Sequence, residues 1–283
     1  MENNLVLASD IGGTHITCAV VDISTWQILE HTISRSHVNS RQSAKSILHI
    51  WANTINQSIN KSVATVTRLG FAVPGPFDYE NGISLMNGQD KYDSLYQINV
   101  GKELGDYFPD HKQMCFINDA AAFLQGEVFA AKLEDRPAIL GITLGTGLGS
   151  SVWHRNQKAF DADLWNTQYR DGIFEEYLAT RWFTKRFYEL SGFREEGFRE
   201  ILEKHKGTPA FEMLMTEYSL SFSDFLTHFA NLHQCKTFIL GGNIARAYDL
   251  ISNYNKEKFA PFEIIVGQYA EKAAILGAAS LYI

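Results

Sequence analysis

Cysteine is scarce in this 283-residue chain, with three in all. Cys18, Cys115 and Cys235 are odd in number, far apart and never in a C-x-C or C-x-x-C spacing. That excludes a disulfide framework and a cysteine-rich zinc site within one chain, and a reducing, cytoplasmic compartment is expected. No uninterrupted apolar run reaches the length that crosses a bilayer, so no membrane partner is expected. The opening MENNLVLASD lacks a basic start before an apolar stretch, and no secretory leader is expected either. Basic charge is also in deficit, with 25 Lys and Arg against 32 Asp and Glu, a formal net charge of −7. Nucleic-acid binding draws on clustered cations, so this balance argues against such a partner.

What is present is an ordinary soluble mixture, 45% hydrophobic and 20% charged. The length exceeds the usual single core, so one large domain or two lobes is expected. Leu5 to Asp10 is a short apolar run ending in an acid, and His15 to Asp22 reads as the next strand. Gly12-Gly13 between them offers the permissive backbone of a hairpin turn. A third strand is expected around Trp26 to Ile33, then a helix over Ser43 to Asn60, whose apolar residues recur at three-and-four spacing. Arg68 to Val73 predicts a buried strand closed by Pro74-Gly75-Pro76. An irregular stretch from Asp78 to Asp110 follows, then a strand over Met114 to Ile117 and a helix capped by Asn118-Asp119 and running to about Ala131. The pattern restarts with strands at Ala138 to Leu144 and Ser150 to His154 around a glycine turn. A mostly helical segment from Glu175 to about Ser219 comes next, then a strand Thr237 to Leu240, a helix Asn243 to Ser252 and an Ala-rich helix Glu271 to Leu281. Two strand–glycine turn–strand units thus open the two halves of the chain, a repeat of fold without a repeat of sequence.

Four motifs carry chemistry. In Asp10-Ile11-Gly12-Gly13-Thr14, glycines let backbone amides approach phosphate oxygens, Thr14 adds a hydroxyl donor, and Asp10 at a strand end suits Mg²⁺, directly or through water. The competing reading is a plain hairpin with an incidental acid. Thr143 to Gly149 carries closely spaced glycines after a strand, as a dinucleotide fingerprint does. The residues that follow it (Ser150-Ser151-Val152-Trp153) read as a strand, whereas that fingerprint opens a helix. Gly241-Gly242-Asn243 would admit a flat ligand close to the backbone, or simply turn a strand into a helix. Asn118-Asp119 is either a helix cap or a carboxylate aimed at a hydroxyl.

Taken in order, Asp10–Thr14, Pro74-Gly75-Pro76 with Asp78, Asn118-Asp119, Leu144–Gly149 and Leu240–Asn243 resemble the ROK family. That family joins bacterial sugar kinases and sugar-responsive repressors, within the actin/hexokinase/Hsp70-like superfamily. The resemblance spans nearly the whole chain. It implies a two-lobed α/β, ribonuclease H-like (actin/hexokinase-like) fold with a nucleotide cleft between the lobes. We expect the small lobe over residues 1–118 plus 271–283 and the large lobe over 119–270. It implies ATP-dependent phosphorylation of a sugar hydroxyl (C6 of a hexose such as glucose), with Asp119 as general base. It further assigns Asp10, Gly12, Gly13 and Thr14 to phosphate and Mg²⁺, and Gly145, Thr146 and Gly147 also to phosphate. Gly241, Gly242 and Asn243 are assigned to adenosine, and Gly75, Asn87, Asn118, Asp163, Asn166 and Glu175 to the sugar. A homodimer is the family-level expectation.

Two departures from the family pattern stand out. Asp163 occupies the place of a usual Glu and Asn166 that of a usual His. The family's zinc-binding cysteines are absent, with Ile173 in the place of one, so no zinc is expected. The alternatives are a kinase for an N-acetylhexosamine or a non-catalytic sugar sensor. In the repressors a DNA-binding helix-turn-helix precedes the kinase-like body, and with Asp10 so early none is expected here.

Overall fold

The computed structural model describes residues 4–108 and 113–283. The end of the irregular stretch read from Asp78 to Asp110 lies outside the described residues. In chain order the elements are β1 (Leu5–Ile11), β2 (His15–Asp22), β3 (Gln27–Ile28), β4 (Ser34–His37), α1 (Ala44–Lys61), β5 (Arg68–Val73), β6 (Phe77–Asp78) and β7 (Ile83–Ser84). There follow α2 (Val100–Gly105), β8 (Gln113–Asn118), α3 (Asp119–Ala130), β9 (Ala138–Leu144), β10 (Leu148–His154), β11 (Phe160–Asp161), β12 (Gln168–Tyr169) and β13 (Gly172–Ile173). Last come α4 (Phe174–Leu178), α5 (Thr180–Ser191), α6 (Phe198–His205), α7 (Pro209–His233), β14 (Thr237–Gly241), α8 (Tyr248–Asn253), α9 (Lys256–Phe259), β15 (Glu263–Val266) and α10 (Lys272–Ala279). Among the described residues no helix is long and apolar enough to cross a membrane.

The chain divides into two compact units, one of residues 1–135, 156–160 and 271–283, the other of 136–155 and 161–270. The first boundary therefore falls after Asp135, not at Asn118 as expected. The reason is α3, whose packing partner is α10 of the same unit. A Cβ at Gly126 would sit 1.9 Å from the Ala273 carbonyl oxygen, and one at Gly277 would sit 1.8 Å from that of Ala122. Only glycine lets the two helices approach so closely, and the flanking Ala120, Ala121, Ala122, Ala273 and Ala278 are buried with them.

In the first unit the sheet runs β3-β2-β1-β5-β8, with β4 also pairing β2. β1 and β2 form the expected antiparallel hairpin, and β5 and β8 extend it in parallel. α1 covers this sheet because its buried residues, Ile47, Leu48, Trp51 and Ile55, share one face, and its start is capped by Ser43 Oγ accepting from the Ser46 amide. Of the strand expected over Trp26 to Ile33, only Gln27–Ile28 pairs with β2. Glu30–Thr32 coils into a 3₁₀ turn so that Thr32 Oγ1 can accept from the Val20 amide at 2.9 Å. The next antiparallel partner is the polar β4, registered His15 to His37 along β2.

The second unit repeats the plan. Its sheet runs β11-β10-β9-β14-β15, an antiparallel β9/β10 hairpin extended in parallel by β14 and β15. Its core is aromatic, with Phe183, Phe211, Phe222, Phe225, Phe229 and Phe238 fully buried around α5 and α7. Two expectations are corrected here. Residues 244–247, expected as helix, form a 3₁₀ turn before α8, and β15 is a strand with no counterpart in the sequence reading.

Candidate active site

In the first unit three parallel strands end side by side. The register pairs Asp10 of β1 with Ala72 of β5, Ala72 with Ile117 of β8, and Val73 with Asn118. Asp10, the Pro74-Gly75-Pro76 turn and Asn118-Asp119 therefore emerge at the carboxyl ends of neighbouring strands, where open α/β sheets bind ligands. Both acids are half-buried.

Their electrostatics mark the spot. Burial pushes the Asp10 carboxyl up to about 7, with the Asp119 and Glu271 carboxylates adding to the rise and Arg35 opposing it. Burial likewise raises Asp119, while its bond from the Ala120 amide (2.9 Å) and the nearby Lys91 ammonium pull it back down. Two like-charged, poorly hydrated acids at one end of the sheet favour a cation or a proton.

The surrounding residues divide between structure and exposure. Asn118 caps α3, its Oδ1 accepting from the Ala120 (2.8 Å) and Ala121 (3.1 Å) amides while its Nδ2 donates to the Tyr79 hydroxyl. Gly75 lies beside that pair, since a Cβ there would meet the Tyr79 oxygen at 3.3 Å. Asn87 is exposed on the loop after Met86. Neither Gly12 nor Gly13 needs a left-handed backbone, and a Cβ on Gly13 would meet nothing within 4 Å. The hairpin therefore does not demand these glycines for its own geometry, and their effect is to leave its backbone bare. Thr14 Oγ1 lies 2.9 Å from His15 Nδ1, and the Tyr92 hydroxyl donates to the Gly12 carbonyl at 2.6 Å.

In the second unit, register pairs Gly241 of β14 with Thr143 of β9, which brings the 145–147 and 241–243 turns to adjacent strand ends. Gly242 is needed for packing as well: its φ is 85°, and a Cβ would collide with the Leu144 backbone at 2.2 Å. Thr146 and Asn243 are exposed, and Gly145 has open space around it. Glu175, expected at the sugar, is bonded within this unit: Oε2 accepts from the Leu148 amide (3.1 Å) and Oε1 from Arg181 (2.7 Å). Asp163 is exposed, at φ 51°, and accepts the Trp165 indole N–H at 2.7 Å, while Asn166 is exposed beside it. The structure thus gathers Asp10, Gly12–Thr14, Gly75, Asn118 and Asp119 in one unit, and 145–147, 241–243 and Glu175 in the other.

Sequence reasoning missed Lys91, Tyr92, Thr180 and Arg181. Lys91, Tyr92 and Thr180 act across long separations in the chain, Arg181 acts on Glu175 six residues away, and none sits in a motif that would single it out.

A β-hairpin extended by two parallel strands, built twice, with carboxylates and bare glycine turns at the strand ends, defines the actin/hexokinase-like class of α/β proteins. A family model described as "ROK family" matches residues 6–161, more than half of the chain. The chain belongs to the ROK family. It is 22% identical to the glucokinase of Thermotoga maritima across 98% of this chain and 96% of the relative. Its fold is similar to the crystal structure of a ROK family glucokinase from Streptomyces griseus in complex with glucose and AMPPNP, with TM-score 0.73, 19% identity, and 98% of each chain covered. It is also similar to a ROK family transcriptional regulator described as a homologue of the Escherichia coli Mlc protein, with TM-score 0.76, 15% identity, and 97% of this chain and 76% of that one covered.

Proposed function

We propose that this chain is an ATP-dependent sugar kinase that phosphorylates a sugar hydroxyl, C6 of a hexose such as glucose, with Asp119 as general base. The observation that carries this reading is the pair of raised carboxylates, Asp10 and Asp119, at the same end of one sheet, where the strands β1 and β8 that flank β5 finish. A sugar hydroxyl is a very weak acid, so its base accepts the proton as the oxygen–phosphorus bond forms and need not ionise it beforehand. A raised carboxylate is the stronger base for that step. The bond from the Ala120 amide and the nearby Lys91 ammonium oppose that rise.

Asp10 fits a magnesium ion. Among the described residues no three His, Cys, Asp or Glu side chains converge on one point. Magnesium suits such a place, because it keeps several waters and takes one or two carboxylates plus substrate phosphates. When bound, it would spread the negative charge of the phosphates. Gly12, Gly13 and Thr14, and in the second unit Gly145, Thr146 and Gly147, would offer donors to phosphate, and Gly241, Gly242 and Asn243 would adjoin adenosine. Gly75, Asn87 and Asn118 would orient the sugar, with the spare Asn118 Nδ2 hydrogen as one donor. Asp163, Asn166 and Glu175 remain candidates for sugar contacts, each requiring a change of partner or of exposure. A homodimer in a cytoplasmic setting completes the reading, and light scattering on the eluted protein checks the dimer.

One observation favours a second reading, a sugar-binding protein without turnover: the acids Glu175 and Asp163 are engaged inside their own unit. ADP release with a panel of hexoses and N-acetylhexosamines separates the two. A kinase turns over at least one of these sugars and a sensor none.

A further inference from the structure

The glycine turn at 145–148 is gripped from one side by the junction of α4 and α5. The Thr180 amide and hydroxyl both donate to the Gly145 carbonyl at 2.8 Å. Glu175 Oε2 accepts from the Leu148 amide, and the same oxygen would lie 2.8 Å from a Cβ on Gly147. The grip itself is held firmly. Phe174 stacks on Tyr169 with ring centroids 4.4 Å apart, the Tyr169 hydroxyl donates to Asp224 of α7 at 2.8 Å, and the buried Tyr218 hydroxyl donates to the Leu178 carbonyl at 3.0 Å.

This arrangement poses an electrostatic problem for a turn that takes phosphate. The Glu175 carboxylate is mostly buried, with 19% of its side chain exposed, and touches the turn directly. A negative charge there opposes a polyanion. Arg181 answers it with a 2.7 Å bond to Glu175 Oε1, and 56% of its own side chain remains exposed. Among the described residues no bond is drawn from the Thr146 or Gly147 amide, while the Gly145 amide closes the turn on the Gly147 carbonyl.

We propose that Arg181 is a positioning residue for nucleotide phosphate: it locks Glu175 against the 145–148 turn and offsets the charge that Glu175 brings there. The inference rests on the nucleotide reading of that turn. Because the role is one of charge, its effect scales with the charge of the ligand.

The test is calorimetric titration of the full chain, in magnesium, with adenosine, ADP and AMPPNP. Thermal melts confirm that each variant folds. Arg181→Met should weaken AMPPNP on the order of tenfold, the size expected when an offsetting charge a few ångströms from a polyanion is removed. ADP should weaken less, and adenosine should stay within about twofold. Arg181→Lys should recover part of the loss, since it keeps the charge without the planar fork. Glu175→Gln retains an acceptor for Leu148 and removes the charge, so the double variant Glu175→Gln/Arg181→Met should regain most of the AMPPNP affinity. An equal loss for adenosine and AMPPNP, no loss at all, or a double variant no better than Arg181→Met overturns the proposal. If wild type gains nothing from adenosine to AMPPNP, the nucleotide reading of the turn falls with it. If the titrations behave as expected and no sugar is phosphorylated, the kinase reading alone fails.

Discussion

Replacing Asp10 by Asn should stabilise the ligand-free protein at alkaline pH and leave it almost unchanged in acid. The folded chain holds the Asp10 proton up to about pH 7, whereas an unfolded aspartate releases it near 3.8. Between those values the folded state binds more protons than the unfolded state, so stability falls as pH rises across this window and levels off above it. The gap corresponds to about 4 kcal/mol. Water reaching the half-buried carboxyl trims this figure, so we expect Asp10→Asn to gain about 2–4 kcal/mol at pH 8. At pH 4 most of the gain disappears, leaving about 0.5 kcal/mol. Urea unfolding of both proteins at each pH, with chelator present, measures the difference, and subtracting wild type from variant cancels the carboxyl groups that do not couple to Asp10. An equal difference at pH 4 and pH 8 would refute the reasoning, because a packing or hydrogen-bond effect carries no such pH dependence.

Three further outcomes follow from the same geometry. Gly277→Ala and Gly126→Ala should each destabilise by about 3 kcal/mol or more, since the new methyl meets backbone that cannot swing aside; melting curves check this. Tyr92→Phe removes the 2.6 Å bond to the Gly12 carbonyl, and should lower stability by about 1 kcal/mol while raising the KM for ATP more than that for sugar. Asp119→Asn should bind sugar normally yet turn over about 10³-fold more slowly in an ADP-release assay.

Much of this fold is legible in the residues themselves. The hairpin strands Leu5–Ile11 and His15–Asp22 show as apolar runs around two glycines, and Ser43 announces α1. β4 is not legible, because its Ser-Arg-Ser-His segment joins the sheet through backbone bonds to β2 and its side chains carry no apolar pattern. β15 is four residues long and only half-buried, too short for its alternation to register. Asp10 and Asp119 could be named from motifs because each stands at the end of a strand. Glu175 could be named, but its partner could not, since the bond to Leu148 joins residues 27 apart in the chain. Arg181 and Lys91 are lone cations in unremarkable surroundings, given meaning only by folding. The boundary after Asp135 depends on α3 meeting α10, about half the chain later, which no local pattern announces.

The most direct test is an ADP-release assay of wild type and Asp119→Asn against hexoses and N-acetylhexosamines, with sugar binding followed separately. The account predicts at least one sugar that wild type phosphorylates and that the variant still binds but hardly turns over. Comparable rates from the two proteins, or turnover of no sugar by wild type, would contradict it.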